Sequence, residues 1–194
     1  MIRVFLAVEL SSDVREKLFS LQQQLKKTLP PINWVRPESI HLTLRFLGYV
    51  EPSLISQLLS ALEPIGREQD GFSIEVQGLG VFPHIKQPRI FWVGFAGNTQ
   101  ALHELVLEIE AALEPLGFPP EEKSYHPQLT LARIKRENAR VGSAFMQTRI
   151  LESKPNLGTL TVDRFTLVRS DLDPAGARYT PLWTVPFSGI PPGS

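Results

Sequence analysis

The 194-residue sequence contains no cysteine, and its 20 basic and 20 acidic side chains give a formal charge of zero. Without cysteine the chain has no disulfide, thiolate nucleophile or cysteine-bound metal cluster, which suits a reducing cytoplasm, where we expect the protein to act. The zero charge gives no indication of a long nucleic-acid-binding surface. A Gly-rich phosphate loop and a set of acidic residues spaced for a metal ion are also missing, so we expect neither a cofactor nor a metal.

Long apolar runs are missing too. The apolar stretch over residues 2–10 contains charges and is too short for a signal sequence or a membrane span, so it predicts a strand and no membrane association. An apolar share of 42% is nevertheless ample for a buried core. The length predicts one domain or two joined lobes.

Hydrophobic periodicity predicts alternating strands and helices in two similar halves. Helices are predicted with Ser12 or Asp13 as the cap of the first, Pro52 and Ser53 opening the second, and Asn98 or Thr99 as the cap of the third, followed by a weaker helix or loop over 137–147. The later strands are predicted around His41, over 73–76, over 89–95, around Gln128, over 160–168 and over 179–185. The last segment, 188–194, is rich in Gly and Pro and predicts a flexible tail.

Two short segments nearly repeat each other: His-Leu-Thr-Leu at 41–44 and Gln-Leu-Thr-Leu at 128–131. In a strand, alternate side chains share a face, so His41 and Thr43 project together while the leucines anchor the other face. Two such strands facing each other across a cleft bring imidazole and hydroxyl groups to one small anion, an arrangement suited to acid and base catalysis on a phosphodiester. The second copy lacks the imidazole, because Gln128 stands there.

Each of these residues also has a structural interpretation. A single His-x-Thr is more often a strand histidine with a satisfied hydrogen bond than a catalyst, and threonine favours strands in any case, so Thr43 and Thr130 alone prove little. His126 has the same strand parity as Gln128, but it precedes a proline, which favours a structural or rim position. His103 lies beside a helical stripe, and we expect it at the surface.

Segments around and beyond the two motifs add to the catalytic interpretation. The informative segments of the sequence are 3–8, 34–48, 78–83 and 126–133, followed by Ser170, Leu172 and Tyr179. Together these segments resemble the bacterial and archaeal RNA 2′,3′-cyclic phosphodiesterase or 2′-5′ RNA ligase family (LigT-like) of the 2H phosphoesterases, over nearly the whole chain. The family pattern in the second motif is His-x-Thr-Leu, so this sequence departs from it at Gln128.

The resemblance implies an α+β fold of two lobes related by a pseudo-twofold axis, each an antiparallel sheet backed by helices, with the active-site cleft between them. Residues 1–187 then form one bilobal domain, which we expect to be monomeric. Both motifs would line the cleft.

The resemblance also implies a metal-free reaction. Thr43 and Thr130 would hold a cyclic phosphate while one histidine activates water and the other protonates the departing ribose oxygen, leaving a 2′-phosphate; the reverse reaction would form a 2′-5′ linkage. The partners would be RNA ends with a 2′,3′-cyclic phosphate, or small cyclic nucleotides. Glutamine does not titrate near neutrality, although its amide still donates a hydrogen bond. Two functions therefore stay open: a phosphodiesterase attenuated at Gln128, with His41 as its acid or base, and a non-catalytic binder of such RNA ends.

Substrate contacts are expected from three further residues. Arg133 corresponds to the family arginine that contacts the nucleotide, but its strand parity is opposite to that of Gln128, so a bulge near Ala132 is required to turn it to the cleft. Phe5 and Phe46 are candidates to stack a terminal base, although aromatic residues in strands are more often core. Beyond Arg133, the basic residues of 135–140 form either a positive rim or a solvated loop.

Overall fold

The computed structural model describes residues 1–138 and 140–189. The strands of this part of the chain are β1 (Ile2–Val8), β2 (Asn33–Trp34), β3 (Leu42–Val50), β4 (Phe72–Phe82), β5 (Ile90–Gly97), β6 (Leu129–Arg133), β7 (Asn156–Val162), β8 (Arg164–Asp173) and β9 (Gly176–Pro186). The helices are α1 (Ser12–Lys26), α2 (Ile55–Glu68), α3 (Thr99–Leu113) and α4 (Arg140–Thr148). No helix among these is long and apolar enough to cross a membrane.

The strands form two antiparallel sheets, which confirms the predicted α+β class. Sheet A has the order β3-β1-β8-β9, and sheet B has the order β2-β6-β5-β4-β7. If the short β2 is left aside, the strand orders of the two sheets match. The order β3-β1-β8-β9 in sheet A corresponds to β6-β5-β4-β7 in sheet B, as expected for two lobes related by a pseudo-twofold axis. Each sheet nevertheless draws on both halves of the sequence, because β4 joins sheet B while β8 and β9 return to sheet A.

Two helices back each sheet. Helix α3 packs near β3, and α2 packs on α3 and β9, so this pair covers sheet A. Helix α1 packs on β7, and α4 covers sheet B through Phe145, whose ring centroid lies 4.9 Å from that of Phe91. The predicted apolar stripes of α1 and α3 are buried, as the core residues Val14, Leu18, Leu21, Leu25, Leu102, Leu105, Val106, Ile109 and Leu113 show.

Both motif strands contain a bulge at the same motif position. In the β1–β3 pair the register slips between Thr43 and Arg45, so Leu44 is the extra residue, and in the β5–β6 pair it slips between Thr130 and Ala132, so Leu131 is the extra residue. An extra residue reverses the alternation that follows it. The bulge required to turn Arg133 to the cleft is therefore present.

Several element boundaries differ from the sequence predictions. The N-cap of α1 is Ser11, whose hydroxyl accepts a hydrogen bond from the backbone N–H of Val14 at 3.3 Å, and not Ser12 or Asp13. One strand was predicted over 160–168, but the structure has two strands there, β7 and β8, separated at Asp163. Two-residue strand β2 was not predicted, because such a short segment carries no periodicity.

The predicted tail begins with ordered contacts. The backbone N–H of Ser188 donates to the carbonyl of Gly66 at 3.0 Å, and that of Gly189 donates to Gln69 at 3.3 Å. These hydrogen bonds hold residues 188 and 189 against the C-terminal end of α2. The remaining residues of the predicted tail, 190–194, lie outside the described residues.

Gln22 offers a test of what holds the second bulge. Its side chain is buried on α1, and its Nε2 donates to the carbonyls of Val35 at 2.8 Å and Leu131 at 3.1 Å. We expect Gln22→Met to lower the free energy of unfolding by about 1–3 kcal/mol, because it leaves the buried Leu131 carbonyl and the half-buried Val35 carbonyl with fewer partners. Urea denaturation measures this loss; Gln23→Met, an exposed change on the same helix, is the control. Equal stabilities of the two variants would contradict the prediction.

Candidate active site

A cleft of about 740 Å³ lies between the two sheets and contains both motifs. Every residue that the sequence nominated lines it: Phe5, His41, Thr43, Phe46, Gln128, Thr130 and Arg133. The two motifs, 87 positions apart in the chain, thus share one cavity as expected from their repeat. His41 and Gln128 each lie one residue before their strand, not within it, so both stand at the strand entrance.

The segment that precedes His41 is held in place by Arg15 of α1. One guanidinium nitrogen of Arg15 donates to the carbonyls of Pro37 at 2.5 Å and Ile40 at 3.1 Å. Residues 37–39 form a short 3-10 turn, and Arg15 ties this turn and the residue before His41 to the helix. The imidazole is therefore presented by a braced segment.

His41 is held by aromatic edges. Its ring centroid lies 4.6 Å from that of Tyr179 and 5.5 Å from that of Phe5, both in edge-on geometry. Burial, reinforced by the positive charge of Arg15, lowers the pKa of His41 to about 4, against a smaller opposing effect of a backbone hydrogen bond at Ser39. The ring is thus neutral at pH 7 and is available to accept a proton.

The second motif is flanked by His126, which is exposed and lines the cleft, as its predicted rim position requires. Its ring centroid lies 5.1 Å from that of Trp92, the β5 residue paired with Thr130. Gly80 of β4 makes room for this indole, because a Cβ there would overlap the Trp92 ring. His126 therefore has a packing partner separate from the motif.

Tyr125 was not nominated by the sequence, although it stands only three residues before Gln128. Its buried hydroxyl donates to the carbonyl of Thr43 at 2.8 Å, which joins the second motif's segment to the first motif's strand. Burial raises the pKa of Tyr125, so the hydroxyl stays protonated as a donor. His103, expected at the surface, is half-buried, and its ring nitrogens lie 3.1 Å from the carbonyl of Tyr125 and 2.8 Å from that of Thr99.

Arg45 fastens the same connection at a second point. This β3 side chain is buried, with one guanidinium nitrogen 3.4 Å from both Glu110 and Glu121 and the other donating to the carbonyl of Pro119 at 2.6 Å. Its Nε has no partner among the described residues. The segment that leads to Gln128 is thus held against β3 by Arg45 and Tyr125.

The aromatic wall of the cleft divides into two roles. Phe46 is 54% exposed and offers a free ring face, whereas Phe5 is only 3% exposed and is packed among His41, Phe46 and Tyr179. A buried ring has little surface for a base. Phe46 is therefore the better stacking candidate, and Phe5 supports His41.

Removing the Tyr125 hydroxyl tests the link between the motifs. We expect Tyr125→Phe to lower the free energy of unfolding by about 1 kcal/mol and to weaken the binding of inorganic phosphate in the cleft, because the Thr43 carbonyl loses its partner across the cleft. Urea denaturation and phosphate titration by NMR measure the two effects. Tyr49→Phe, on an exposed side chain of the strand that carries Thr43, is the control. Unchanged phosphate affinity in Tyr125→Phe would contradict a positioning role.

His41 should make stability depend on pH. Its folded-state pKa of about 4 lies below the unfolded value near 6.5, so its contribution is intact above pH 6.5 and is lost as pH falls toward 4. Between pH 7 and 4.5 we expect the parent to lose about 2 kcal/mol more than His41→Gln, measured by urea denaturation at both values. His84→Gln, at an exposed site, should keep the parent's pH dependence. An NMR titration midpoint for His41 near 6.5 would contradict the buried, neutral assignment.

Comparisons with known proteins agree with this geometry. A family model described as LigT like Phosphoesterase matches residues 8–92. The RNA 2′,3′-cyclic phosphodiesterase of Aeropyrum pernix is 34% identical to this chain, over 87% of this chain and 94% of the relative. The protein of the same name from Thermotoga maritima is 32% identical, over 96% of each.

Solved structures extend the likeness to the fold. The crystal structure of TT0787 of Thermus thermophilus superposes with a TM-score of 0.81 at 28% identity, covering 97% of this chain and 99% of that one. E. coli LigT complexed with 3′-AMP gives 0.77 at 26% identity, covering 96% and 98%. With relatives above 30% identity along nearly its full length, this chain belongs to the LigT-like phosphoesterases of the 2H phosphoesterase family.

Proposed function

We propose that this protein is an RNA 2′,3′-cyclic phosphodiesterase that opens a terminal cyclic phosphate to a 2′-phosphate. The observation that carries the proposal is the shared cleft in which His41 and Thr43 of one lobe meet Gln128 and Thr130 of the other. The relatives described above carry the same activity in their names.

The substrate would be bound by neutral donors and one cation. The Thr43 and Thr130 hydroxyls and the Gln128 amide donate hydrogen bonds to the phosphate oxygens. Arg133 contacts the anion or its attached nucleotide from the second lobe, and Phe46 stacks the terminal base. This set holds a small anion at the end of a chain.

Because His41 is neutral, its first role is that of a base. It accepts a proton from a water molecule whose oxygen forms a new bond to phosphorus, while the bond from phosphorus to the ribose 3′-oxygen breaks. The 3′-oxygen must then gain a proton. Gln128 cannot supply one, so the proton comes from solvent, and the step is slower than with a second imidazole by ~10²–10⁴-fold.

Gln128 also favours a second candidate function. If the lost proton transfer abolishes turnover, the same cleft would act as a non-catalytic binder of RNA ends that carry a cyclic phosphate or a 2′-phosphate. With a ribose 5′-hydroxyl in place of water, the same attack on phosphorus, with release of the 3′-oxygen, would make a 2′-5′ linkage. Turnover of a cyclic-phosphate RNA end with a chelator present separates the enzyme from the binder.

Restoring the second imidazole tests the assignment of position 128. We expect Gln128→His to raise the turnover of an RNA end with a 2′,3′-cyclic phosphate by about 10²-fold or more, with little change in affinity, because a titratable acid then faces the leaving oxygen. Product formation is followed by chromatography across pH 5–8.

Three further variants make the result specific. Gln128→Asn keeps a neutral amide and should show no gain. His41→Ala in the Gln128→His background should remove most of the gain, because the two imidazoles act together. His126→Gln should leave turnover unchanged. Equal rates before and after Gln128→His, together with loss of activity in His126→Gln, would mean that His126 already serves as the second acid or base.

A further inference from the structure

Basic side chains are concentrated where the second motif strand leaves the cleft. Residues 133–140 contain four basic residues and one acidic residue, a local charge of +3 in a chain whose total is zero. We name Arg133, Lys135, Arg136 and Arg140 the basic rim; all four side chains are exposed. The zero net charge of the whole sequence therefore does not reveal this local excess of positive charge.

The basic rim is not neutralised by the protein. None of its four side chains makes an ion pair with any described residue, whereas Arg149 pairs with Glu152 at 2.8 Å and Arg164 pairs with Asp163 at 2.9 Å. A cluster of like charges repels itself unless a counterion is bound. Such a cluster beside the cleft would therefore attract an anionic partner.

The rim continues directly from the cleft. Arg133 lines the cleft, and two residues later Lys135 lines a second cavity of about 440 Å³ together with Asn33, Arg140 and Glu137. Asn33 pairs with Arg133 across β2 and β6, so the linings of the two cavities are neighbours at this residue pair. Glu137 is the one carboxylate among the lining residues of the second cavity.

The turn that carries the rim is braced. The Asn138 side chain donates to the carbonyl of Pro31 at 2.9 Å, and its backbone N–H donates to the carbonyl of Lys135 at 3.2 Å. These bonds hold the turn against the segment before β2. The cations are therefore presented at a defined place beside the cleft.

Two equivalent positions on the motif strands indicate the direction in which an RNA chain would bind. Phe46 and Arg133 are each five residues after the first position of their motif, and the equivalent bulges turn both toward the cleft. An exposed aromatic ring from the first motif strand and a cation from the second therefore line the same cleft. A base suits the aromatic side, and phosphates suit the cationic side.

We propose that the basic rim binds the phosphodiester backbone of RNA on the 5′ side of the cyclic end, so that the protein prefers RNA chains to cyclic mononucleotides. This inference rests on the proposed function, because it assigns the rest of the same substrate. The terminal base lies at Phe46, the cyclic phosphate lies between the motifs, and the preceding phosphates pass Arg133 and reach Lys135, Arg136 and Arg140.

The test is the variant Lys135→Gln/Arg136→Gln/Arg140→Gln, which leaves Arg133 and the motifs intact. Binding of a fluorescent eight-nucleotide RNA with a 2′,3′-cyclic end is measured by anisotropy between 50 and 200 mM salt. Each single-strand phosphate contact contributes about 0.7 to the slope of log affinity against log salt, so three contacts contribute about 2. We expect the slope to fall by that amount and the affinity at 50 mM salt to fall ~10-fold or more.

A matched control removes three cations elsewhere. Arg67→Gln/Arg149→Gln/Lys154→Gln takes the same charge from exposed positions near the ends of α2 and α4. It should bind the RNA like the parent. Equal losses in the two triple variants would overturn the proposal, because overall charge would then explain the binding.

A second measurement separates this inference from the proposed function. Hydrolysis of a cyclic mononucleotide has no preceding phosphates, so the rim variant should match the parent there, while its KM for the octanucleotide rises. If no variant hydrolyses either substrate, the proposed function fails, and the anisotropy result alone decides the inference. Unchanged RNA binding in the rim variant, or an equal loss of mononucleotide turnover, would overturn it.

Discussion

The site depends on one hydrogen bond between the lobes, from the Tyr125 hydroxyl to the Thr43 carbonyl. A cleft between two sheets has no ladder bonds across it, so its width is set by whatever side chains bridge it. Tyr125 does so from the residue triplet that precedes Gln128, and its target is a motif residue of the other sheet. Arg45, bound to Glu110 and to the Pro119 carbonyl, holds the same connection further back. Both motifs therefore share one frame, although they belong to different sheets and lie far apart in the sequence.

The two lobes have the same backbone bulge but different side chains at equivalent positions. Each motif strand bulges at its second leucine, Leu44 or Leu131, and each bulge turns a later residue toward the cleft. The equivalent positions then differ in chemistry, with Phe46 opposite Arg133 and His41 opposite Gln128. A symmetric frame with unlike side chains suits an asymmetric substrate, because a nucleotide end has an aromatic base on one side of its phosphate and a charged chain on the other.

The sequence predicted the elements and the motif residues because their signals are local. Helical stripes such as Leu102 to Leu113 and the alternation around Thr43 follow directly from periodicity. The residues that it missed act over distance: Tyr125 contacts a residue 82 positions away, and Gln22 contacts Leu131 at a separation of 109. No pattern within a short window reveals such partners. The bulge is an intermediate case, since the wrong parity of Arg133 required one, yet parity alone could not place its counterpart at Leu44.

The low pKa of His41 connects this architecture to the chemistry. Burial by Tyr179 and Phe5, together with the positive charge of Arg15, lowers the pKa of His41 and keeps the ring neutral. An anion between the motifs favours the protonated ring, since an opposite charge within a few ångströms stabilises it. In the proposed reaction the product 2′-phosphate monoester would carry more negative charge than the cyclic diester, so this effect would grow as the reaction proceeds. The proton that His41 takes from water would then be held most strongly at the end of the step. In the proposed mechanism Gln128 cannot donate a proton to the ribose 3′-oxygen, so that proton would come from solvent, and a single imidazole would therefore make a slower enzyme than a pair.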